Sequence, residues 1–430
     1  MTNVQETRWS YAARRRAATG FCSLPALLFA GLLVAATNVA FGQPRHSPAP
    51  RPATRVLFES GRTATIPFDF SDGALVVRVR VNNSQPLKFF FDTGAGISVV
   101  SPKQAARLHL RTADSLKVTG TGGTVNGTVA MGVSLRLPGV TVRNQNVAVF
   151  SLDDFPCEAR DITGIIGYDF IKEFVVEIDY EASVIRLFEP RGYEYTGRGD
   201  LFPLTIARTP RVRAGVKVPG RASVEGLFEI DTGHEGTLVI NSPFVNRHKL
   251  LDALNDQIPA NGRGVGGVST RAGARLESLQ LGPYTIGSPV VALSLETEGA
   301  LAATDNDGPI GNEILQRFKM TLDYSRRRMW LEPNAHLTDP FQSDMSGIEF
   351  DSAGDNCRIF KVTDIAAKSP AAEAGIQPGD EIIAIDNRPA AQFTAAQIYQ
   401  LFMVDGAEHS LALRRENQNL MVRIKLRRLL

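Results

Sequence analysis

From about Val56 to Pro333 the chain is a succession of short apolar runs, rich in Val, Ile, Phe and Leu and separated by Gly, Pro and Asn. Runs of this length and composition predict short β-strands. Helical signals are few. Ser101 before Pro102 and Ser242 before Pro243 read as helix N-caps, with proline in the first helical position. From about Ser346 the pattern changes to strands around "GIEF" and "RIFKV", a short helix at "SPAAEAG", a second helix near "TAAQIYQLFM" and a closing hairpin, which is a small α+β unit. At the other end, Arg8, Arg14, Arg15 and Arg16 precede an acid-free apolar run, "FCSLPALLFAGLLVAATNVAFG", and "QPRHSPAPRPATR" after it is too proline-rich to build a core.

The long β region repeats itself. "LKFFFDTGAGISVVSP" in its first half has the counterpart "GLFEIDTGHEGTLVINSP" in its second, with Asp92 and Asp231 139 residues apart. Further on, "GIIGYDFIKEFVVEIDYEASVIRLFEP" from Gly164 matches "GPIGNEILQRFKMTLDYSRRRMWLEP" from Gly308. Each copy runs in the same order: strand, Asp-Thr-Gly, strand, Ser-Pro, a Gly-rich loop, an apolar-apolar-Gly element, and a strand pair with Asp-Tyr at its turn. A duplicated lobe is the economical reading.

Composition adds limits. The chain has 430 residues, 43% hydrophobic and 21% charged, enough apolar material for about three domains. A net charge of +2, with no basic stripe, implies no nucleic-acid partner. The N-terminal pattern is that of a secretory signal peptide, so the protein is expected to be exported, periplasmic or secreted; a membrane enters only if that segment stays uncleaved as an anchor. "TGF" before Cys22 is not a lipoprotein signal. With the signal removed, Cys157 and Cys357 remain in different domains and are expected to be two buried thiols. The six histidines are scattered, so neither metal nor cofactor is expected.

A single Asp-Thr-Gly is weak, since Asp and Gly favour turns. Two copies in matching contexts are much stronger. Residues 60 to 333 resemble the pepsin and retropepsin superfamily of aspartic proteases in a single-chain, two-lobed form. That resemblance implies a mostly β, bilobal fold in which each lobe gives one catalytic Asp, here Asp92 and Asp231. Two adjoining carboxylates cannot both ionise easily, so one acts as base on a water while its protonated partner supports the developing oxyanion. Gly94 and Gly233 free the turn backbone, and Thr93 and Thr232 resemble the threonines that lock the family's two turns together. Ile165-Ile166-Gly167 and Pro309-Ile310-Gly311 resemble the strands beside those turns. Two departures stand out. After Gly94 comes Ala95, as in retroviral members, but after Gly233 comes His234, which either points to solvent or faces the dyad and tunes its pH dependence. In the flap position, "VTGTGGTVNGT" lacks the pepsin tyrosine; Gly120, Thr121, Gly122 and Gly123, with Gly264, Gly266 and Gly267 in lobe two, suggest two lids. The "GTGGTVNG" loop has neither the Lys-Ser/Thr ending nor the following helix of a phosphate cradle.

The C-terminal unit, through "SPAAEAGIQPGDEIIAIDN", resembles a PDZ domain of the kind attached to bacterial envelope proteases. By that resemblance Gly347, Ile348, Glu349 and Phe350 form the loop that receives a peptide carboxylate, with Glu349 departing from the usual Gly. The expected organisation is a signal (1–42), a tether (43–58), lobe 1 (59–198), lobe 2 (199–334), a linker (335–345) and a PDZ domain (346–430). The expected activity is that of an aspartic endopeptidase on peptides or proteins. The alternative is a non-catalytic peptide-binding or scaffold protein with the same fold.

Overall fold

A computed structural model describes residues 53–70 and 73–430, so the expected signal and residues 43–52 of the tether lie outside the described residues. In the first copy an eight-stranded sheet carries the strand Leu87–Phe91 between Val76–Val81 and Ile162–Ile166. Leu87–Phe91 runs parallel to Ile162–Ile166, pairing Phe91 with Ile166. In the second copy Val224–Ile230 runs parallel to Pro309–Ile310, pairing Ile230 with Ile310. The strand that enters each Asp-Thr-Gly is therefore braced by the apolar-apolar-Gly element of its own copy. The ends of the two strands nearest the turns are fully buried at Phe89 and Phe91 in the first copy and at Phe228 and Ile230 in the second.

The two copies share a floor. A six-stranded sheet takes Thr63–Pro67, Val175–Asp179 and Val184–Phe188 from the first and Asp200–Pro203, Phe318–Asp323 and Arg328–Pro333 from the second. The seam is the antiparallel pair Val175–Asp179 with Phe318–Asp323, where Val176 faces Leu322. Alternation sets which side chains go in: Thr63–Pro67 buries Ala64 and Ile66 and exposes its other residues. Phe91, Phe170, Phe174, Phe228 and Phe318 all belong to one core that runs through both lobes. Each contributes about 1.5–3 kcal/mol of burial, so the lobes are not independent bodies.

The expected helices after the turns are short. Pro102–Arg107 starts after Ser101 as expected, but the serine hydroxyl makes no cap bond. In lobe 2 the cap is Asn241 rather than Ser242, which lies inside Ser242–Arg247 and donates its hydroxyl to the Glu296 carbonyl at 2.5 Å. That competing acceptor takes Ser242 away from the capping role.

Residues 348–426 form a second core around Phe360, Ile382, Ile398, Phe402 and Leu411. Its helices are capped as their sequences suggest: Ser369 accepts from Ala372 N–H at 3.1 Å, and Thr394 with Gln397 forms a capping box. Residues 335–345 lie along lobe 2, where Arg317 donates to the carbonyls of His336, Leu337 and Asp339 and stands 3.7 Å over the Phe341 ring. Among the described residues, no helix is long and apolar enough to cross a membrane.

One expectation is overturned. Cys157 and Cys357 are not free thiols but a disulfide, with Cα atoms 5.6 Å apart across 200 residues of sequence. Assigning them to different domains left out that the C-terminal module docks on the lobes. Ser352 donates to Glu158 at 2.6 Å, and Arg160 to the Asp355 carbonyl at 2.8 Å, beside the disulfide. On the lobe-2 side, Asn261 donates its N–H and its amide to Glu349 at 3.1 and 2.9 Å, and Arg263 pairs with Asp351. A single hairpin of the module thus touches both lobes.

Candidate active site

Each Asp-Thr-Gly turns sharply at the end of its strand, and the two turns meet at the lobe interface. Asp92 N–H donates to the Ile166 carbonyl and Asp231 N–H to the Ile310 carbonyl, both at 3.0 Å. The bracing strands thereby fix where each carboxylate starts. Gly94 and Ala95 donate N–H to Asp92 Oδ1 at 2.8 and 2.9 Å, and Gly233 donates to Asp231 Oδ1 at 2.8 Å. Oδ1 of each carboxylate is held by its own turn. The Oδ2 atoms are buried and accept no hydrogen bond from the described residues.

The threonines interlock. Thr93 N–H donates to Thr232 Oγ1 and Thr232 N–H to Thr93 Oγ1, both at 3.0 Å. Each hydroxyl then donates across the interface, Thr93 to the Ile230 carbonyl at 2.6 Å and Thr232 to the Phe91 carbonyl at 2.8 Å. A Cβ added to Gly94 would fall on the Asp231 carboxylate, and one added to Gly233 on that of Asp92. The glycines are needed for closeness rather than for backbone angle. The structure therefore brings Asp92, Thr93, Gly94, Asp231, Thr232 and Gly233 into one cluster.

Both carboxylates are fully buried. Burial raises the pKa of each; Asp231, facing the charge of Asp92 as well, lies well above the ordinary carboxylate range. Behind the pair, Glu229 is pushed up to about 8, first by burial and then by the charge of Asp231.

His234 does not point to solvent. Its ring is 3% exposed and lies against Gly236 and Gly311, with Nδ1 unpartnered. Burial, and then the charge of Arg271, lower its pKa to about 3, so it is neutral through the ordinary pH range.

The glycine-rich loops also meet. Thr112–Gly120 and Gly123–Leu137 form one hairpin, Gly262–Gly264 and Gly267–Ser269 the other. At their tips Gly122 N–H donates to the Val265 carbonyl at 3.1 Å, and a Cβ on Gly120, Gly122 or Gly266 would strike the opposing tip. Thr121 is buried there. Val265 from lobe 2 joins the apolar cluster of Ala95, Leu116, Val118 and Phe150 in lobe 1.

Sequence reasoning missed Asn312. It accepts from Tyr180 at 2.8 Å and donates to the carbonyls of Gly73 and Thr232, each at 2.8 Å, tying the second turn to lobe 1. Its position directly after Pro309-Ile310-Gly311 was the available signal.

In the C-terminal module, Gly347 N–H donates to Asp344 at 2.6 Å and Ile348 N–H to Ser346 Oγ at 3.0 Å. Two of the donors expected to receive a ligand carboxylate are thus engaged internally. Phe350 stacks on Tyr399 with ring centroids 4.5 Å apart, and Glu349 is turned toward Asn261. A cavity between this loop and Ile258–Pro259 of lobe 2 is also lined by Leu430. Among the described residues, no group of three or more His, Cys, Asp or Glu is placed to hold a metal ion.

Residues 77–170 match the aspartyl protease family model, and residues 361–415 match a PDZ domain model. No curated protein matches the chain. Among solved structures, the aspartic proteinase from Irpex lacteus is similar, with 16% identity and a TM-score of 0.44, over 65% of this chain and 99% of that one. The fold is mostly β, an aspartic protease-like body with a C-terminal PDZ domain.

Proposed function

We propose that this chain is an aspartic endopeptidase in which Asp92 and Asp231 activate one water between them. The observation that carries the reading is the pairing of two buried carboxylates, each with one oxygen held by its own turn and the other unclaimed. With one proton on the pair, the ionised carboxylate takes a proton from the water as it attacks the scissile carbonyl. The protonated partner donates to the developing oxyanion and later delivers its proton to the leaving amine. Thr93 and Thr232 position the dyad, and the meeting glycine-rich tips exclude water from an extended peptide beneath them.

The PDZ domain is read as a peptide-binding module. Its hairpin contacts both lobes, so a ligand there acts next to the second flap. Export is supported by the Cys157–Cys357 disulfide, which persists in an oxidising compartment, together with the N-terminal signal pattern.

The test is cleavage of a random peptide pool, read by mass spectrometry, by wild type, Asp92→Asn and Asp231→Asn. Internal cleavage by wild type and none by either variant is expected. Cleavage surviving in either variant would sink the mechanism, and a pool bound but never cut would favour a peptide-binding protein.

A further inference from the structure

The two flaps are built to the same pairing but not with the same side chains. Counting from the tip, lobe 1 pairs Gly120 with Gly123, Val118 with Val125 and Leu116 with Gly127. Lobe 2 pairs Gly264 with Gly267 and Gly262 with Ser269, and Ala260 N–H then donates to the Arg271 carbonyl. Val118 thus corresponds to Gly262, and Gly127 to Arg271. In lobe 1 the valine is fully buried and belongs to the apolar wall with Ala95 and Phe150. In lobe 2 that side chain is missing, and the Arg271 guanidinium fills the space, since a Cβ on Gly262 would land on it. Large and small have been exchanged across the hairpin, and an apolar wall has become a cationic one.

Arg271 is 3% exposed, yet among the described residues its hydrogen bonds go only to Ser269 Oγ, from Nε at 3.0 Å and Nη2 at 2.7 Å. A guanidinium has five donors, and no carboxylate among the described residues is hydrogen-bonded to it. Glu296 and Glu349 act on it only through space, being held by Thr270 N–H and Asn261 respectively. Its charge reaches His234, which follows the Asp231 turn directly and has Nδ1 unpartnered. Ser294, fully buried, pairs with Arg271 on the adjoining strand. A buried cation without a counter-ion is costly, and the cost is offset where a ligand brings the anion.

We propose that Arg271 is the specificity-determining residue on the lobe-2 side of the cleft, receiving the carboxylate of an Asp or Glu side chain of the substrate peptide. The apolar wall of lobe 1 takes a hydrophobic side chain on the other side. This rests on the proteolytic reading of the same cleft. The planar fork of arginine suits bidentate capture of a carboxylate, with Ser269 fixing its orientation from behind.

The test has two arms. In the first, wild type, Arg271→Gln and Arg271→Lys digest a random octapeptide pool, followed by matched peptides that differ only in Glu against Gln. Expected are products enriched in Asp or Glu at one position on one side of the cut. Arg271→Gln should lower the Glu-over-Gln ratio of kcat/KM by about 10- to 100-fold, and Arg271→Lys should retain part of it. In the second arm, the same pool is selected by binding to Asp231→Asn, alone and combined with Arg271→Gln, so that no turnover is required; acidic enrichment should appear with the first protein and vanish with the second. Cleavage without acidic enrichment, or enrichment that Arg271→Gln and Arg271→Lys both leave intact, overturns this proposal and leaves proteolysis standing. Acidic enrichment by binding with no cleavage in wild type supports it and removes the proteolytic reading. No acidic enrichment in either arm overturns it.

Discussion

The two lobes are near copies at the turn and differ just beyond it. Both present Asp-Thr-Gly with a glycine N–H donating to Oδ1, the same crossed threonines and the same bracing strand, although Asp92 Oδ1 also accepts from Ala95 N–H. One residue on, lobe 1 has Ala95 in an apolar cluster, while lobe 2 has His234 near a buried Arg271. The proposed chemistry demands twofold likeness at the carboxylates, because a shared proton needs two similar sites. Contact with the proposed peptide substrate does not, because a peptide has two different ends. Duplication followed by divergence of the walls would give one chain both properties.

The largest effect is expected at the shared element: Asp92→Asn or Asp231→Asn should each lower kcat by at least about 10³-fold, since either loss removes the pair, as read by steady-state kinetics. Unequal losses would mean that the halves are not equivalent partners.

Next is the interlock. Thr93→Val leaves Thr232 N–H without its buried acceptor, and Thr232→Val does the converse. Each should cost about 1–3 kcal/mol in urea unfolding, and the double variant less than the sum because the bonds are shared. The Cys357→Ser variant, which frees the PDZ domain from lobe 1, should cost about 2–4 kcal/mol in the same measurement.

A pH effect separates the lobes further. Glu229 and Glu313 are buried, and burial raises both from 4.5 to about 8. A carboxyl with a raised folded pKa favours the fold while protonated, so its contribution is full below pH 4.5 and is lost as pH rises toward 8. The melting temperature should therefore fall between those values, and Glu229→Gln with Glu313→Gln should flatten the slope. The smallest effect is expected from His234→Ala: an imidazole already neutral above about pH 3 cannot shape the activity profile at higher pH. A shifted profile would show that it ionises beside the dyad.

Much of this was legible in the sequence because duplication makes a pattern visible twice. The two Asp-Thr-Gly turns, their glycine neighbours and the apolar-apolar-Gly strands could be matched residue by residue, and the structure places them together. What could not be read depended on contacts between segments with no counterpart. The disulfide needed the docking of the C-terminal module, Asn312 stands where lobe 1 has Tyr168, and Arg271 became notable only once pairing from the flap tip set it against Gly262. His234 was open for the same reason: its exposure depends on Gly236 and Gly311, whose proximity no spacing reveals.

Asp92 and Asp231, if they work as proposed, form one titrating unit. Carbon-13 labelling of aspartate carboxyls, with Asp92→Asn and Asp231→Asn used to assign the two signals, measures this directly. The two signals should shift together and keep one shared proton well above the free-carboxyl range near about 3.9. Two carboxyls titrating independently near that value would contradict it.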